Sequence, residues 1–129
     1  MALKMDKETE RYQYGLKMMK THLGKDTEKY IDAIAEIAPL FAKVNVEFAF
    51  GDLYGQKDGS LDQKTRELVA ISALVVQGAI PQLKVHIKSA LRCGIQKAEI
   101  VDTITQLIAY CGFPYATNAL MAARDVFEE

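Results

Sequence analysis

The chain has 129 residues, half of them apolar and about a quarter charged, with a formal net charge of −1 from 16 basic and 17 acidic residues. That is the size and composition of one globular domain, residues 1–129, and the even spread of charge leaves no basic field for nucleic acid. There is no run of roughly 18 apolar residues to span a membrane, and charges interrupt the opening MALKMDKETE at once, so neither a spanning helix nor a signal peptide is expected and the cytoplasm is the default compartment.

Helical periodicity dominates, and strand-type alternation is weak throughout. A first helix is predicted from about Lys7 to His22, with Tyr12, Leu16, Met19 and Leu23 as its apolar stripe and Gly24 beyond its end. A second starts after Asp26 or Thr27, with Ile31, Ile34 and Ala35 inward. Pro39 suits the first turn of a third helix, which carries Phe41, Val44 and Phe48 on one face. Gly51 to Ser60, with its Asp58-Gly59 turn signal, reads as a loop.

Ser60 or Asp62 then caps a fourth helix that is apolar almost all round from Leu68 to Val76, a pattern expected at the centre of a fold or an assembly. Gly78 ends it. Pro81 opens the fifth helix and Gly94 closes it. Gln96 and Glu99 have capping-box spacing for a sixth, with Ile100, Ile104, Leu107 and Cys111 in register. Gly112 stops that helix, and Pro114 starts a seventh with Ala116, Leu120, Ala123 and Phe127 inward. Short connections imply antiparallel neighbours, so the predicted fold is an all-α bundle of six to seven helices.

Polar residues at apolar-facing positions are few in the central region, and burying one is costly unless it is paired. His86 sits at the edge of the face formed by Leu83, Ile87, Ala90 and Leu91, with Gln82 one turn before it. It is either a packing residue or a proton-transfer group, for which imidazole is well suited near neutral pH. Glu67 stands just before Leu68. It is either an acid in the first turn, favoured by the helix dipole, or a partly buried carboxylate that trades protons with His86. Arg66 points about 100° further round the helix, as a surface charge or as a clamp for a carboxylate ligand. Tyr110 and Asn118 offer further hydrogen bonds or simply pack and cap. Cys93 and Cys111 form no C-x-x-C and, as two cysteines, no zinc site of their own; they read as packing thiols. No nucleotide-binding glycine loop, serine elbow or metal-ligand spacing occurs, and no cofactor is expected.

The segments LDQKTRELVAISAL (61–74), PQLKVHIKSALRCG (81–94) and AEIVDTITQLIAYCGFP (98–114) resemble the carboxymuconolactone decarboxylase family. Tyr14-Gly15, Leu23-Gly24 and FAFGDLYG (48–55) resemble its upstream segments. The most specific elements are the Arg66-Glu67-Leu68 triplet, His86 followed by the A-L-x-x-G ending at Gly94, and the Tyr110, Gly112, Pro114 pattern.

The resemblance implies an alkylhydroperoxidase D-like all-α fold and a homo-oligomer, often a hexamer built as a trimer of dimers. It also implies two activities. Decarboxylases of the family convert a carboxymuconolactone without metal or organic cofactor, in aromatic catabolism. The alkylhydroperoxidase D proteins reduce peroxides through a C-x-x-C with a glutamate and a histidine as proton relay. Carried over, the relay glutamate falls on Glu67, the relay histidine on His86, and the two cysteines on Ala79 and Gln82. Neither alanine nor glutamine supplies the thiolate that peroxidase chemistry needs. The chain also departs from the decarboxylases. It has no tryptophan, it has Phe50, Tyr54 and Gln56 around the loop where they carry tryptophan and arginine, and Gln82 stands where they commonly have glutamate.

The expected function is therefore a cofactor-free lyase acting on a small carboxylated lactone or related acid. His86 and Glu67 are its catalytic pair, and Arg66, Gln82 and Tyr110 its substrate-binding residues. The alternative is a non-enzymatic, oligomeric ligand-binding or interaction module of the same fold; a thiol peroxidase comes third.

Overall fold

Helices account for all the regular structure in the computed structural model, which describes residues 5–129; no strand occurs among them. The contacts gather into two compact units, one ending at Ser60 and one spanning Leu61–Glu129.

In the first unit, α1 (Glu10–Leu23) begins where the Thr9 side chain accepts a hydrogen bond from the Tyr12 backbone N–H at 3.1 Å. The cap sets the start three residues later than the periodicity suggests, because a threonine oxygen can satisfy an orphan N–H of the first turn and Lys7 cannot. A single 3₁₀ turn at Gly24–Asp26 leads into α2 (Thr27–Ile37). Pro39 opens α3 (Pro39–Val44), as its fixed φ favours.

The chain then does something the pattern did not predict. Asn45–Tyr54 continues as a π-helix, so Gly51 to Tyr54 are helical and the connection to the next helix starts only at Gly55. The i→i+5 bond from the Gly55 N–H to the Phe50 carbonyl, 2.9 Å, belongs to this wide winding. Its physical basis is the approach of α1. A Cβ at Gly15 would collide with the Val46 carbonyl oxygen, and one at Gly51 would lie 3.3 Å from the Gly15 Cα. The two glycines serve close backbone contact, not a loop. Tyr14 donates its hydroxyl to the Gly55 carbonyl at the same crossing.

The core of this unit is Tyr12, Met19, Leu23, Ile31, Ala42, Val46 and Phe50. Phe41, Val44 and Phe48, expected to share a face, are all exposed, because the π-winding and α3 turn Ala42, Val46 and Phe50 inward instead.

In the second unit, α4 (Gln63–Gln77) is capped by Asp62, whose carboxylate accepts from the Thr65 N–H at 2.8 Å. It ends at Gly78 in the left-handed conformation (φ 68°), where the Ala79 N–H reaches back to the Leu74 carbonyl at 3.0 Å. The tight reversal returns α5 (Ile80–Arg92) along α4. Gly94 turns the chain again, and Gln96 and Glu99 form both bonds of the expected capping box at the start of α6 (Lys97–Phe127).

Gly112 (φ 79°, ψ 173°) breaks α6, so the sixth and seventh predicted helices are one hydrogen-bonded run with an interruption at the predicted place. The three helices α4, α5 and α6 pack on one another around Ile71, Val75, Leu83, Ile87, Ile100 and Ile104. Beyond the break, Ala116, Ala119, Ala122, Ala123 and Val126 are buried; Leu120, expected inward, is exposed. Helix α4 is apolar all round, yet it buries only the Ile71 and Val75 side and leaves Val69 and Val76 exposed, since the chain's own helices cover one face. No helix among the described residues is long and apolar enough to cross a membrane.

Candidate active site

The most deeply buried charged side chain of the second unit is Glu67, at 0% exposure. Asp62 is the cap, so Glu67 is the fifth residue of α4, beyond the first turn. The dipole reading therefore fails, because the favourable field of a helix end fades within that turn. Its carboxylate is instead committed to α5. Oε2 lies 2.9 Å from His86 Nδ1, and Oε1 accepts a hydrogen bond from Ser89 Oγ at 3.0 Å.

The sequence places these groups together by simple helix geometry. The short turn at Gly78 brings α5 back antiparallel, and His86 and Ser89, three residues apart, stand on adjacent turns of one face. His86 keeps 18% of its side chain exposed while Glu67 keeps none. The pair thus has one end sealed in the protein and the other at its surface.

A second buried carboxylate shows by contrast what is unusual here. Glu47, in the first unit, lies 2.8 Å from Lys43 Nζ and 3.7 Å from Arg11 Nη1. Its partners are permanent cations, and such a pair holds its charge near neutral pH. Glu67 faces an imidazole and a hydroxyl, and the imidazole can gain or lose a proton in that range. Only the Glu67–His86 pair can pass a proton along a hydrogen bond. His22, the other histidine, is fully buried with its ring 4.8 Å from Tyr54 and 6.0 Å from Phe50, an aromatic packing position in the first unit.

The remaining sequence candidates are not joined to the pair by hydrogen bonds among the described residues. Arg66 is half-buried, and its Nε is a buried donor with no acceptor. Gln82 is exposed one turn before His86 on α5. Tyr110 is 74% exposed on α6, two residues before the break. Asn118 is exposed as well.

Ser89 is the residue that sequence reasoning missed. The signal was present: it is a polar residue between Ile87 and Ala90, in a stretch otherwise read as apolar core.

Neither cysteine forms a disulfide. Burial, and after it the negative charge of Glu67, pushes the Cys93 thiol above its ordinary range, with Arg92 and Lys64 pulling the other way. A raised thiol carries less thiolate, the opposite of what peroxide reduction requires. Cys111 Sγ contacts the Leu107 carbonyl at 3.2 Å within α6. Among the described residues no three His, Cys, Asp or Glu side chains cluster as metal ligands.

The carboxymuconolactone decarboxylase family's sequence model matches residues 39–125, about two thirds of the chain. The chain belongs to that family. The match takes in α4, α5 and the whole Glu67–Ser89 constellation. A protein of Paracoccus denitrificans described as an uncharacterized 15.0 kDa protein is 36% identical over 99 residues, covering 75% of this chain and 72% of its own. The 4-carboxymuconolactone decarboxylase of Acinetobacter baylyi is 26% identical, with 93% and 89% covered. The nitrosuccinic acid decarboxylase of Metarhizium robertsii is 25% identical, with 92% and 82% covered. The family thus includes named decarboxylases that align along nearly all of this chain.

Proposed function

We propose that this family member is a decarboxylase of a small carboxylated lactone or related organic acid, working by proton transfer through Glu67 and His86. The observation that carries the reading is the fully buried carboxylate bonded at 2.9 Å to a partly exposed imidazole. The two named decarboxylases among its relatives give the reaction class.

The chemistry needs little more. The bond between carbon and carboxylate breaks, CO₂ departs, and the electron pair stays on carbon as an enolate or carbanion. His86 delivers the proton that quenches it, and Glu67, charged and buried, stabilises the imidazolium that donates it. Arg66 holds a substrate oxygen, because its buried Nε has no acceptor within the chain and a guanidinium fork suits a carboxylate or lactone oxygen. Gln82 and Tyr110 add hydrogen bonds from the exposed side. No step calls on a bound metal or organic cofactor.

The protein works as a homo-oligomer, a hexamer by family resemblance. Exposed Val69 and Val76 on α4 and Tyr110, Phe113 and Tyr115 around the α6 break support self-association, since such apolar side chains are costly to leave in water. Light scattering at micromolar concentration is expected to give a multiple of the 14.4 kDa chain mass; the monomer mass would refute it.

The test of the activity is CO₂ release from a panel of carboxylated lactones and substituted small dicarboxylic acids. Release is expected from at least one, abolished in His86→Ala. Silence across the panel would favour a binding or interaction module instead.

A further inference from the structure

We propose that Ser89 is a positioning residue: by donating to Oε1 it holds Glu67 as the acceptor of the Nδ1–H of His86, and so makes Nε2 the atom of His86 that exchanges a proton with a bound acid. The inference rests on the decarboxylase reading for its functional consequence, but not for its structural content.

The argument starts from the buried carboxylate. Glu67 and Ser89 are both at 0% exposure, so bulk water reaches neither. A carboxylate sealed from water keeps its charge only if donors replace that water. Two directions are open to the Glu67–His86 hydrogen bond. With Glu67 ionised, Nδ1 carries the hydrogen and donates to Oε2. With Glu67 neutral, a carboxylic O–H can donate to a bare Nδ1, and the mobile proton has moved into the sealed interior.

The Ser89 hydroxyl, 3.0 Å from Oε1, decides between them. A hydroxyl donating to a carboxylate makes a charge-assisted bond, stronger than one to a neutral carboxyl oxygen. It therefore favours ionised Glu67, which in turn fixes the hydrogen on Nδ1. A neutral imidazole with its hydrogen on Nδ1 has its lone pair on Nε2, ready to take a proton and return it. Removing the Ser89 hydroxyl leaves Oε1 as a buried acceptor short of a donor and weakens that bias.

The tautomer can be read without any substrate. Nitrogen-15 spectra of the protein labelled at histidine, recorded at alkaline pH, report which ring nitrogen carries the hydrogen, and the His86 signals are those lost in His86→Ala. The wild-type protein is expected to show the Nδ1–H form for His86. Ser89→Ala is expected to shift His86 toward the Nε2–H form. So is Ser89→Cys, which fills the serine volume but donates weakly. The cysteine variant separates bonding from packing: a residue that merely fills space would leave Ser89→Cys like the wild type. An Nε2–H ring in the wild type, unchanged spectra in Ser89→Ala, or wild-type spectra in Ser89→Cys would each overturn the inference.

In turnover, both variants are expected to lower kcat on the order of tenfold with KM changed by less than about twofold, because the bond acts on proton delivery and not on substrate capture. The two readings can fail separately. A tautomer shift in a protein that releases no CO₂ would sink the decarboxylase and leave the role of Ser89 standing. An active wild type whose Ser89 variants keep its spectra and kcat would do the reverse.

Discussion

His86 Nδ1 and Glu67 Oε2 are 2.9 Å apart although 19 positions separate the two residues in the chain. They meet because α5 turns back on α4 through Gly78 and Ala79 and runs far enough along it for the middle of α5 to reach the second turn of α4. A bond formed this way makes the two side chains one functional unit. His86→Ala and Glu67→Gln are each expected to lower turnover about a hundredfold or more, and the double variant to lose little beyond either single one. Steady-state rates of the four proteins make the check; losses that multiply would mean the residues act independently. Glu67→Gln keeps the shape of the side chain, so its Tm should stay within about 5 °C of the parent.

Where α1 crosses the π-helix, space is the limiting quantity. A methyl group at Gly15 would sit on the Val46 carbonyl oxygen and 2.8 Å from its carbon, and both are backbone atoms that cannot swing aside. Gly15→Ala is expected to cost more than about 2 kcal/mol in urea unfolding, despite alanine's better helix propensity. A stability equal to or above the parent's would show that the crossing relaxes freely.

Cys93 should be a sluggish nucleophile. Burial first, and Glu67 second, raise its thiol above the ordinary range, so less thiolate is present at neutral pH. In a Cys111→Ala background, alkylation by iodoacetamide is expected to be slow at neutral pH and still rising beyond pH 9, the ordinary midpoint of a cysteine thiol. A rate that levels off below that pH would restore thiol chemistry as a candidate.

Asp62 gives a pH dependence of definite sign. The Thr65 backbone N–H, and then its hydroxyl, hold the Asp62 carboxyl below its ordinary value of 3.8. A carboxyl lowered in the folded state adds stability that is present above the unfolded value and is lost as pH falls through the lowered one. Asp62→Asn keeps a capping side chain but cannot titrate. The stability gap between parent and variant should favour the parent near neutral pH and shrink below the ordinary carboxyl range. Because the group is exposed, added salt should shrink it too. A gap that is constant with pH would exclude the cap as its source.

Much of this architecture was legible in the residues themselves. Helix ends carry local signals, and Pro39, Gly78, Gln96 with Glu99, and Gly112 each act where their chemistry says they should. Glu67 and His86 were visible as polar residues beside apolar faces. The π-helix was not, because its ten residues have ordinary composition and its cause lies in another helix: Gly51 and Gly55 look like loop signals until the backbone of α1 is placed against them. Ser89 was hidden for a similar reason. Serine is common at helix surfaces, and only the return of α5 onto α4 shows that its hydroxyl has a carboxylate to meet. The Phe41, Val44 and Phe48 face was real as a periodicity but not as a core, since hydrophobic spacing does not say which of two apolar faces the chain itself covers.

The wide winding of Asn45–Tyr54 also bears on how this protein can change length. A π-helix takes up about one more residue per turn than an α-helix, as if a single residue had been inserted into an ordinary coil and absorbed there. Deleting one residue between Asn45 and Tyr54 would let the segment rewind as α-helix, but everything after the deletion would rotate by about 100°. Phe50 and Tyr54, stacked with ring centroids 5.0 Å apart beside His22, would lose that alignment, and the crossing of Gly51 with Gly15 would go with it. Insertions and deletions are thus far better tolerated in the exposed Gln56–Ser60 stretch than in the helix before it.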